Sequence, residues 1–168
     1  MLSIDVSEVV KELKAYQTEV TKRLEYMVAK VAYEFVLVLG NNTPVGDQEA
    51  IDRKYGKYYE FYKTRKSDLG IAMDAGYHAG SWQFSSDGNL EFSTAIAEPE
   101  GAANDALYEA QVNYKLGDTF YIGANTPGME ALEGNRSKQT NGMGIVTPSV
   151  DIVMGLYRIK ASDYYNYK

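Results

Sequence analysis

Apolar side chains recur every three or four residues along the first part of the chain: Val6, Val9, Val10, Leu13, Tyr16, Val20, Leu24, Met27, Val31, Phe35 and Val38. That spacing places them on one face of an α-helix. Lys11, Glu12, Lys14, Glu19, Lys22, Arg23 and Glu25 fall on the other face. Asp5 can cap the start, with Glu8 in the capping-box position three residues on. No Gly or Pro intervenes before Gly40, so the pattern predicts one amphipathic helix over 5–39, about 50 Å long at 1.5 Å per residue. A small domain needs less than that to cover one sheet. The helix is therefore broken, or packed whole on its own sheet, or extended at its N-terminal part towards a neighbour. Gly40 or Asn41 can take the left-handed C-terminal position, and Pro44 prevents continuation.

The period then changes. Residues 68–97 read mostly as strand, and Ser81–Ser85 alternates with Trp82 and Phe84 on one face. Ser86-Asp87-Gly88-Asn89 supplies a hairpin turn, and Leu90, Phe92, Thr94 and Ile96 return on a common face. Glu98-Pro-Glu-Gly101 breaks the pattern. A short helix follows over 102–112, with Ala103, Ala106, Leu107 and Ala110 on its narrow apolar side. Lys115–Asp118 turns the chain into a strand at Thr119–Ile122, a natural sheet neighbour of 89–97, and Asn125-Thr126-Pro127-Gly128 stops it. Met129, Leu132 and Glu133 can make one helical turn, ended by Gly134 and Asn135. After the polar loop 136–142, Thr147-Pro148 reads as a helix start, with Val150, Val153, Met154 and Tyr157 on one face. A strand is the competing reading there, because Val150, Ile152 and Met154 alternate. The tyrosine-rich end, 160–168, is a frayed tail or an arm that orders against a neighbour. The expected fold is α+β: a long N-terminal amphipathic helix packed on a mainly antiparallel sheet, with short additional helices, in a single domain over 1–168.

At 168 residues the chain can bury a real core. No run approaches the roughly 20 apolar residues of a membrane span, and the first residues lack the basic-then-apolar pattern of a secretion signal. The absence of cysteine excludes disulfides, thiolate chemistry and the usual structural zinc sites. A net charge of −6 means that the surface as a whole does not attract nucleic acid. Fifteen tyrosines against five phenylalanines point to amphipathic packing or to protein contacts.

One basic island stands out, over 52–66. Arg53, Lys54, Lys57, Lys63, Arg65 and Lys66 oppose Asp52 and Glu60, with Tyr55, Tyr58, Tyr59, Phe61 and Tyr62 between them. Such a stretch can track phosphates and stack on bases, or make a subunit contact with its rings inside and its charges out. His78 is the only histidine and has no acid–nucleophile set marked near it, so it reads as a turn or packing residue. Asp105 and Glu109 lie four apart on a helix surface and read as a solvated face. There is no phosphate-cradling glycine loop, no His–Glu–His helix and no Gly-x-Ser-x-Gly elbow. No catalytic residue, cofactor or metal is therefore expected.

The pieces that carry a resemblance are Thr43-Pro44-Val45-Gly46-Asp47, then Ser81-Trp82 within 79–85, and then a series in 119–143. In that series Asn125 and Pro127 follow a strand, Leu132-Glu133-Gly134 comes next, then Ser137 and Gln139, then Gly142-Met143. The set resembles the signature of the tail-completion family of long-tailed bacteriophages, also called neck or minor tail protein Z-like. That signature reads roughly as strand, Asn-x-x-Pro-Tyr-Ala, Leu-Glu-x-Gly, Ser-x-Gln and Pro-x-Gly-Met, preceded by Thr-Pro-Val-Asp-Thr-Gly and Arg-x-Ser-Trp. Gly128 and Met129 stand where the family has Tyr and Ala, and Thr140-Asn141 where it has Ala-Pro. The pieces keep the family's order. Residues 52–66 look like an insertion between two of them.

The resemblance implies a structural virion protein and no enzyme. It would complete the tail, or form part of the head-to-tail neck ring through which DNA passes. Its implied partners are other copies of itself in a ring, commonly a hexamer, the tail tube protein, and the head-completion or connector proteins. DNA would traverse the channel without sequence-specific binding, and no membrane is involved. Its place would be the virion, after synthesis in the host bacterial cytoplasm. A tail terminator capping the tube is the alternative within the same setting. A nucleic-acid-binding module using 53–66 is the alternative outside it, and a hydrolase using Asp and Glu is a third class to which no residue set points.

Overall fold

The computed structural model describes residues 6–45, 49, 77–91, 98–126, 129–133 and 144–165; the side chains of 130, 131 and 159–165 are left aside. The elements in chain order are helix α1 (Ser7–Asn42), strand β1 (Gln83–Ser85), helix α2 (Pro99–Asn113), strand β2 (Tyr121–Gly123), helix α3 (Met129–Glu133) and helix α4 (Val146–Tyr165). The chain is thus mixed helix and strand, as expected for α+β. The sheet among the described residues is a two-stranded antiparallel pair.

Helix α1 is continuous, so the broken-helix alternative falls. It starts at Ser7 with Val6 in the cap position and no side-chain cap bond. The expected capping box is therefore not formed at that position, and Asp5 lies outside the described residues. Glu8 sits in the first turn, where a negative charge complements the helix dipole. At the other end the helix runs through Gly40 and Asn41 to Asn42, which corrects the expected left-handed stop. Thr43 is extended, with φ −75° and ψ 123°, and its N–H donates to Gly40 O at 3.1 Å. Pro44 then bars another turn.

Gly40 is buried inside the helix because space demands it. A Cβ there would lie 2.8 Å from Ala79 O and 2.8 Å from Pro99 Cβ. The same close approach runs down the helix. Ala29, Ala32, Val36 and Leu39 of α1 and Ala102, Ala103, Ala106 and Ala110 of α2 are buried in one cluster. Small side chains let the two helix backbones come near and pack without voids.

This seam is not the predicted apolar stripe. The C-terminal members of that stripe, Val31, Phe35 and Val38, are partly buried, and helix α4 packs against this half of α1. The N-terminal members Val6, Val9, Val10, Leu13 and Tyr16 are exposed. Alanine carries little hydropathy, so the alanine seam is faint in a hydropathy pattern while the valine and leucine stripe is loud.

Helix α2 begins three residues earlier than expected, at Pro99. Proline suits a first helical position, where its missing N–H has no intrahelical partner to lose. β1 pairs with β2 in the register Gln83↔Gly123, Phe84↔Ile122, Ser85↔Tyr121. The strand expected from Leu90 onward falls largely on 92–97, outside the described residues. What is described there is a side-chain bridge: Gln83 Nε2 donates to Glu91 O at 2.7 Å, and Glu91 N donates to Gln83 Oε1 at 3.1 Å. The turn between is held by Asp87, which accepts from Asn89 N at 3.0 Å and from Ser85 Oγ at 2.8 Å. Those bonds, that of Asn89 first, hold its carboxyl below the usual range. Phe84 stacks on Phe120 at 5.5 Å, and Tyr114 meets Phe120 edge-on at 5.8 Å, so β1, β2 and the end of α2 share one aromatic cluster.

Helix α4 settles the helix-or-strand question after 146 in favour of helix. It starts at Val146, one residue before the expected Thr147 cap, and it continues through Tyr165. Of the tyrosine-rich end, expected as a frayed tail or as an arm that orders against a neighbour, the backbone of 160–165 is helical and 166–168 lie outside the described residues. Val153 is buried and Val150 and Tyr157 are partly so, as expected, but Met154 is exposed and Ser149 takes the buried position.

Candidate functional site

The resemblance marks its residues in six separate stretches; the fold joins the first two by a side-chain hydrogen bond and ties two others to neighbouring segments. Trp82 Nε1 donates to Thr43 Oγ1 at 2.8 Å, and that hydroxyl donates to Leu39 O at 2.7 Å. Trp82 and Thr43 are both buried. The end of α1, the turn before Pro44 and strand β1 are thus fastened at one polar node inside the core. Pro44 is partly buried beside it. The node stabilises because each buried polar group has a partner; an indole N–H left alone there would cost about 1–3 kcal/mol.

Asn125, just after β2, donates from Nδ2 to Leu90 O at 3.1 Å and so ties the strand end to the hairpin. Leu132 packs against the core. Glu133 closes the next junction: its Oε1 accepts from Ile145 N at 2.9 Å and from Val146 N at 2.6 Å. Those amides are the entry to α4, so a carboxylate from α3 performs the capping that the sequence assigns to Thr147. Gly144 has φ 70°, and a Cβ there would lie 2.5 Å from Glu133 Oε2. Pro127, Gly134, Ser137, Gln139, Gly142 and Met143 lie outside the described residues. So do Arg53, Lys54, Tyr55, Lys57, Tyr58, Tyr59, Lys63, Arg65 and Lys66 of the basic island.

Replacing Glu133 with alanine should lower stability by about 2 kcal/mol, since two amides lose a charged acceptor and one belongs to a buried residue. Glu133→Gln, which keeps one acceptor oxygen, should cost about half as much. Urea unfolding followed by circular dichroism reads both; equal costs would show that the charge, and not the neutral acceptor that glutamine keeps, carries this helix start.

His78 Nδ1 lies 3.0 Å from Thr126 Oγ1, beside buried Tyr77, and Ser81 Oγ donates to His78 O at 2.8 Å. Burial holds the imidazole below its ordinary range. The group binds a proton more readily when unfolded, so its contribution is full above the ordinary value of about 6.5 and is lost as pH falls from there towards the lowered folded value. The melting temperature should therefore drop across that window, and His78→Gln should flatten the drop. An identical slope in the variant would assign it to other groups.

Asp105 and Glu109 are exposed on α2, and Glu109 Oε2 accepts from Asn113 Nδ2 at 2.6 Å, as for a solvated face. Among the described residues no group of three or more His, Asp or Glu could hold a metal ion. Among them, too, no helix is long and apolar enough to cross a membrane, and no buried side-chain polar atom lacks a partner.

Two fastening residues carry no signal that the sequence reading used. Ser149, fully buried, accepts from Asn42 Nδ2 at 2.9 Å and donates to Ile145 O at 2.7 Å, joining α4 to the end of α1. Glu25 accepts from Leu116 N at 3.1 Å and joins the α2–β2 turn to the middle of α1. A polar residue inside an otherwise apolar helical face was the available sign for Ser149. No family model, no curated protein and no solved structure matches the chain.

Proposed function

We propose that this chain is a structural virion protein of a long-tailed bacteriophage, one that completes the tail or forms part of the neck ring. The observation that carries the reading is the ordered set of motif pieces, from Thr43-Pro44 through Ser81-Trp82 to Asn125 and Leu132-Glu133. The contacts described above support it: Trp82 on Thr43, Asn125 on Leu90 and Glu133 on the start of α4 use these residues to fasten elements rather than to present them. On this reading the fold is the family's long helix packed on a mainly antiparallel sheet, in one domain over 1–168. Copies set side by side, commonly six, close a ring around a channel and leave no sheet edge unpaired. Tail tube protein and connector proteins meet the two faces of the ring. An acidic lining lets DNA slide, since phosphates are repelled instead of neutralised, and the net charge of −6 is of the right sign. The work is done by shape, and no bond is made or cut.

Light scattering of the purified chain, alone and with isolated tails, tests the reading. Rings in solution, or monomers that become rings on tails, are the expected results. A chain that stays monomeric and ignores tails overturns it. Rings that cap growing tubes and halt them transfer the assignment to a tail terminator.

A further inference from the structure

Asp87-Gly88 is the one Asp-Gly pair in the chain. The turn it sits in needs glycine at the second position, because φ there is 84°. Such a pair carries a latent backbone reaction. The Gly88 amide nitrogen can attack Cγ of Asp87 and close a succinimide ring. A C–N bond forms, the carboxyl C–OH bond breaks, and the hydroxyl leaves with the amide proton as water. Water then opens the ring at either carbonyl. Opening at the backbone carbonyl leaves an isoaspartyl link, in which the main chain runs through the side chain and is one methylene longer. The closure needs a nitrogen free to swing towards Cγ. It also needs a protonated carboxyl, since an ionised one is a poor target for a nucleophile.

One hydroxyl opposes both requirements. Ser85 Oγ accepts from Gly88 N at 3.0 Å, so the attacking nitrogen is engaged. The same hydroxyl donates to Asp87 Oδ1 at 2.8 Å, so the group under attack is held as well. Asn89 adds two bonds to the carboxylate, from its N to Oδ1 at 3.0 Å and from its Nδ2 to Oδ2 at 2.8 Å. These donors, the Asn89 amide first, favour the ionised form and hold the carboxyl below its usual range. Asp87, Gly88 and Asn89 are exposed, so burial does not restrain them. Ser85 itself is buried, at the end of β1 and opposite Tyr121 of β2. The Tyr121 ring lies against the turn: a Cβ on Gly88 would come within 3.3 Å of it. The position of the hydroxyl is therefore set by strand pairing and not by the exposed turn.

We propose that Ser85 keeps Asp87-Gly88 from isomerising in the folded protein, and that loss of its two bonds turns this pair into a site of isoaspartate formation. The consequence reaches beyond the turn. An extra methylene at 87 shifts Leu90 and Glu91 against β1. The bridge from Gln83 to Glu91 and the bond from Asn125 Nδ2 to Leu90 O both depend on that placement. The inference stands on the chemistry of the turn alone and does not rest on the neck reading.

Peptide mapping by mass spectrometry tests it, on the full chain aged at neutral pH either folded or unfolded in urea. Asn141-Gly142 closes the same ring with loss of ammonia, so its reaction in urea reports that the conditions drive the chemistry. The folded wild type should form isoaspartate at 87 at least about tenfold more slowly than the unfolded chain. Ser85→Ala should bring the folded rate to within a few-fold of the unfolded one while leaving helical content unchanged, and Ser85→Thr, which restores a hydroxyl, should slow it again. Hydrogen exchange needs no variant: the Gly88 amide, on an exposed residue, should exchange at least about tenfold more slowly than in the unfolded chain. Equal isomerisation rates for folded and unfolded wild type would overturn the proposal. So would an unprotected Gly88 amide, a folded Ser85→Ala chain as slow as wild type, or a Ser85→Thr chain as fast as the alanine variant.

Discussion

Replacing Trp82 with alanine should cost about 3–5 kcal/mol, the range for removing a large aromatic side chain from a packed core. Three effects add. The indole is 3% exposed, so nearly all of its apolar area is returned to water or replaced by a cavity. Its N–H donates to Thr43 Oγ1, so the node at the end of α1 loses a bond. The core cluster it belongs to also holds Leu39 and Phe84, on a helix and a paired strand, which limits relaxation into the space. Against a typical stability of about 5–15 kcal/mol the loss is a large fraction of the whole, and the melting temperature should fall by about 10 °C for a chain of this size. Trp82→Phe keeps most of the packing and loses only the donor. It should cost about 1–2 kcal/mol, since Thr43 retains its bond to Leu39 O. Thermal melts followed by circular dichroism measure both. Equal losses for Ala and Phe would mean that the hydrogen bond, not the ring, holds this corner.

Leucine at Gly40 should be nearly as damaging, at about 3 kcal/mol, the upper part of the range for overpacking. Alanine makes the sharper comparison. In an exposed helix Gly→Ala gains about 1 kcal/mol from helix propensity. Here the new Cβ meets a backbone oxygen at 2.8 Å on Ala79 and the Pro99 ring at the same distance. Neither is the free end of a flexible side chain, so α1 and α2 must move apart along their alanine seam. The clash outweighs the propensity, and Gly40→Ala should be net destabilising by about 1 kcal/mol. Denaturant titration of the two variants decides it; a stabilised alanine variant would show that the seam opens freely.

These two positions show where the sequence was informative. The length and continuity of α1 were legible, because eleven apolar residues at helical spacing and the lack of an early Gly or Pro allow no other regular structure. Its packing face was not. That face reads Ala29, Ala32, Val36 and Leu39, against Ala102, Ala103, Ala106 and Ala110 of α2, and alanine is nearly silent in a hydropathy pattern even though it is what permits close approach. Gly40 looked like a stop because glycine commonly ends helices, yet here its missing side chain serves a crossing. Pro99 and Gly101 looked like breakers, and the first turn of a helix tolerates both. The hairpin turn at 86–89 was legible because Asp87 and Asn89 supply their own local hydrogen bonds. At the site, Trp82 and the Leu132-Glu133 pair stand in the motif pieces, and the structure places Trp82 and Glu133 at junctions between elements. That Trp82 would reach Thr43, or that Glu133 would cap a helix twelve residues on, depends on tertiary geometry that neither residue encodes alone.

The Glu133 contact also divides the chain into parts under different constraint. Its bonds to Ile145 and Val146 pin the two ends of the intervening segment to one point, whatever lies between them. The entropy of closing such a loop grows only with the logarithm of its length, about 0.6 kcal/mol for each doubling. The anchor residues are therefore held to strict geometry, while the stretch they bracket is free to lengthen, shorten or change composition at small thermodynamic expense. Any constancy of the signature positions inside that bracket, Ser137, Gln139, Gly142 and Met143, would then have to come from something other than the cost of closing the loop.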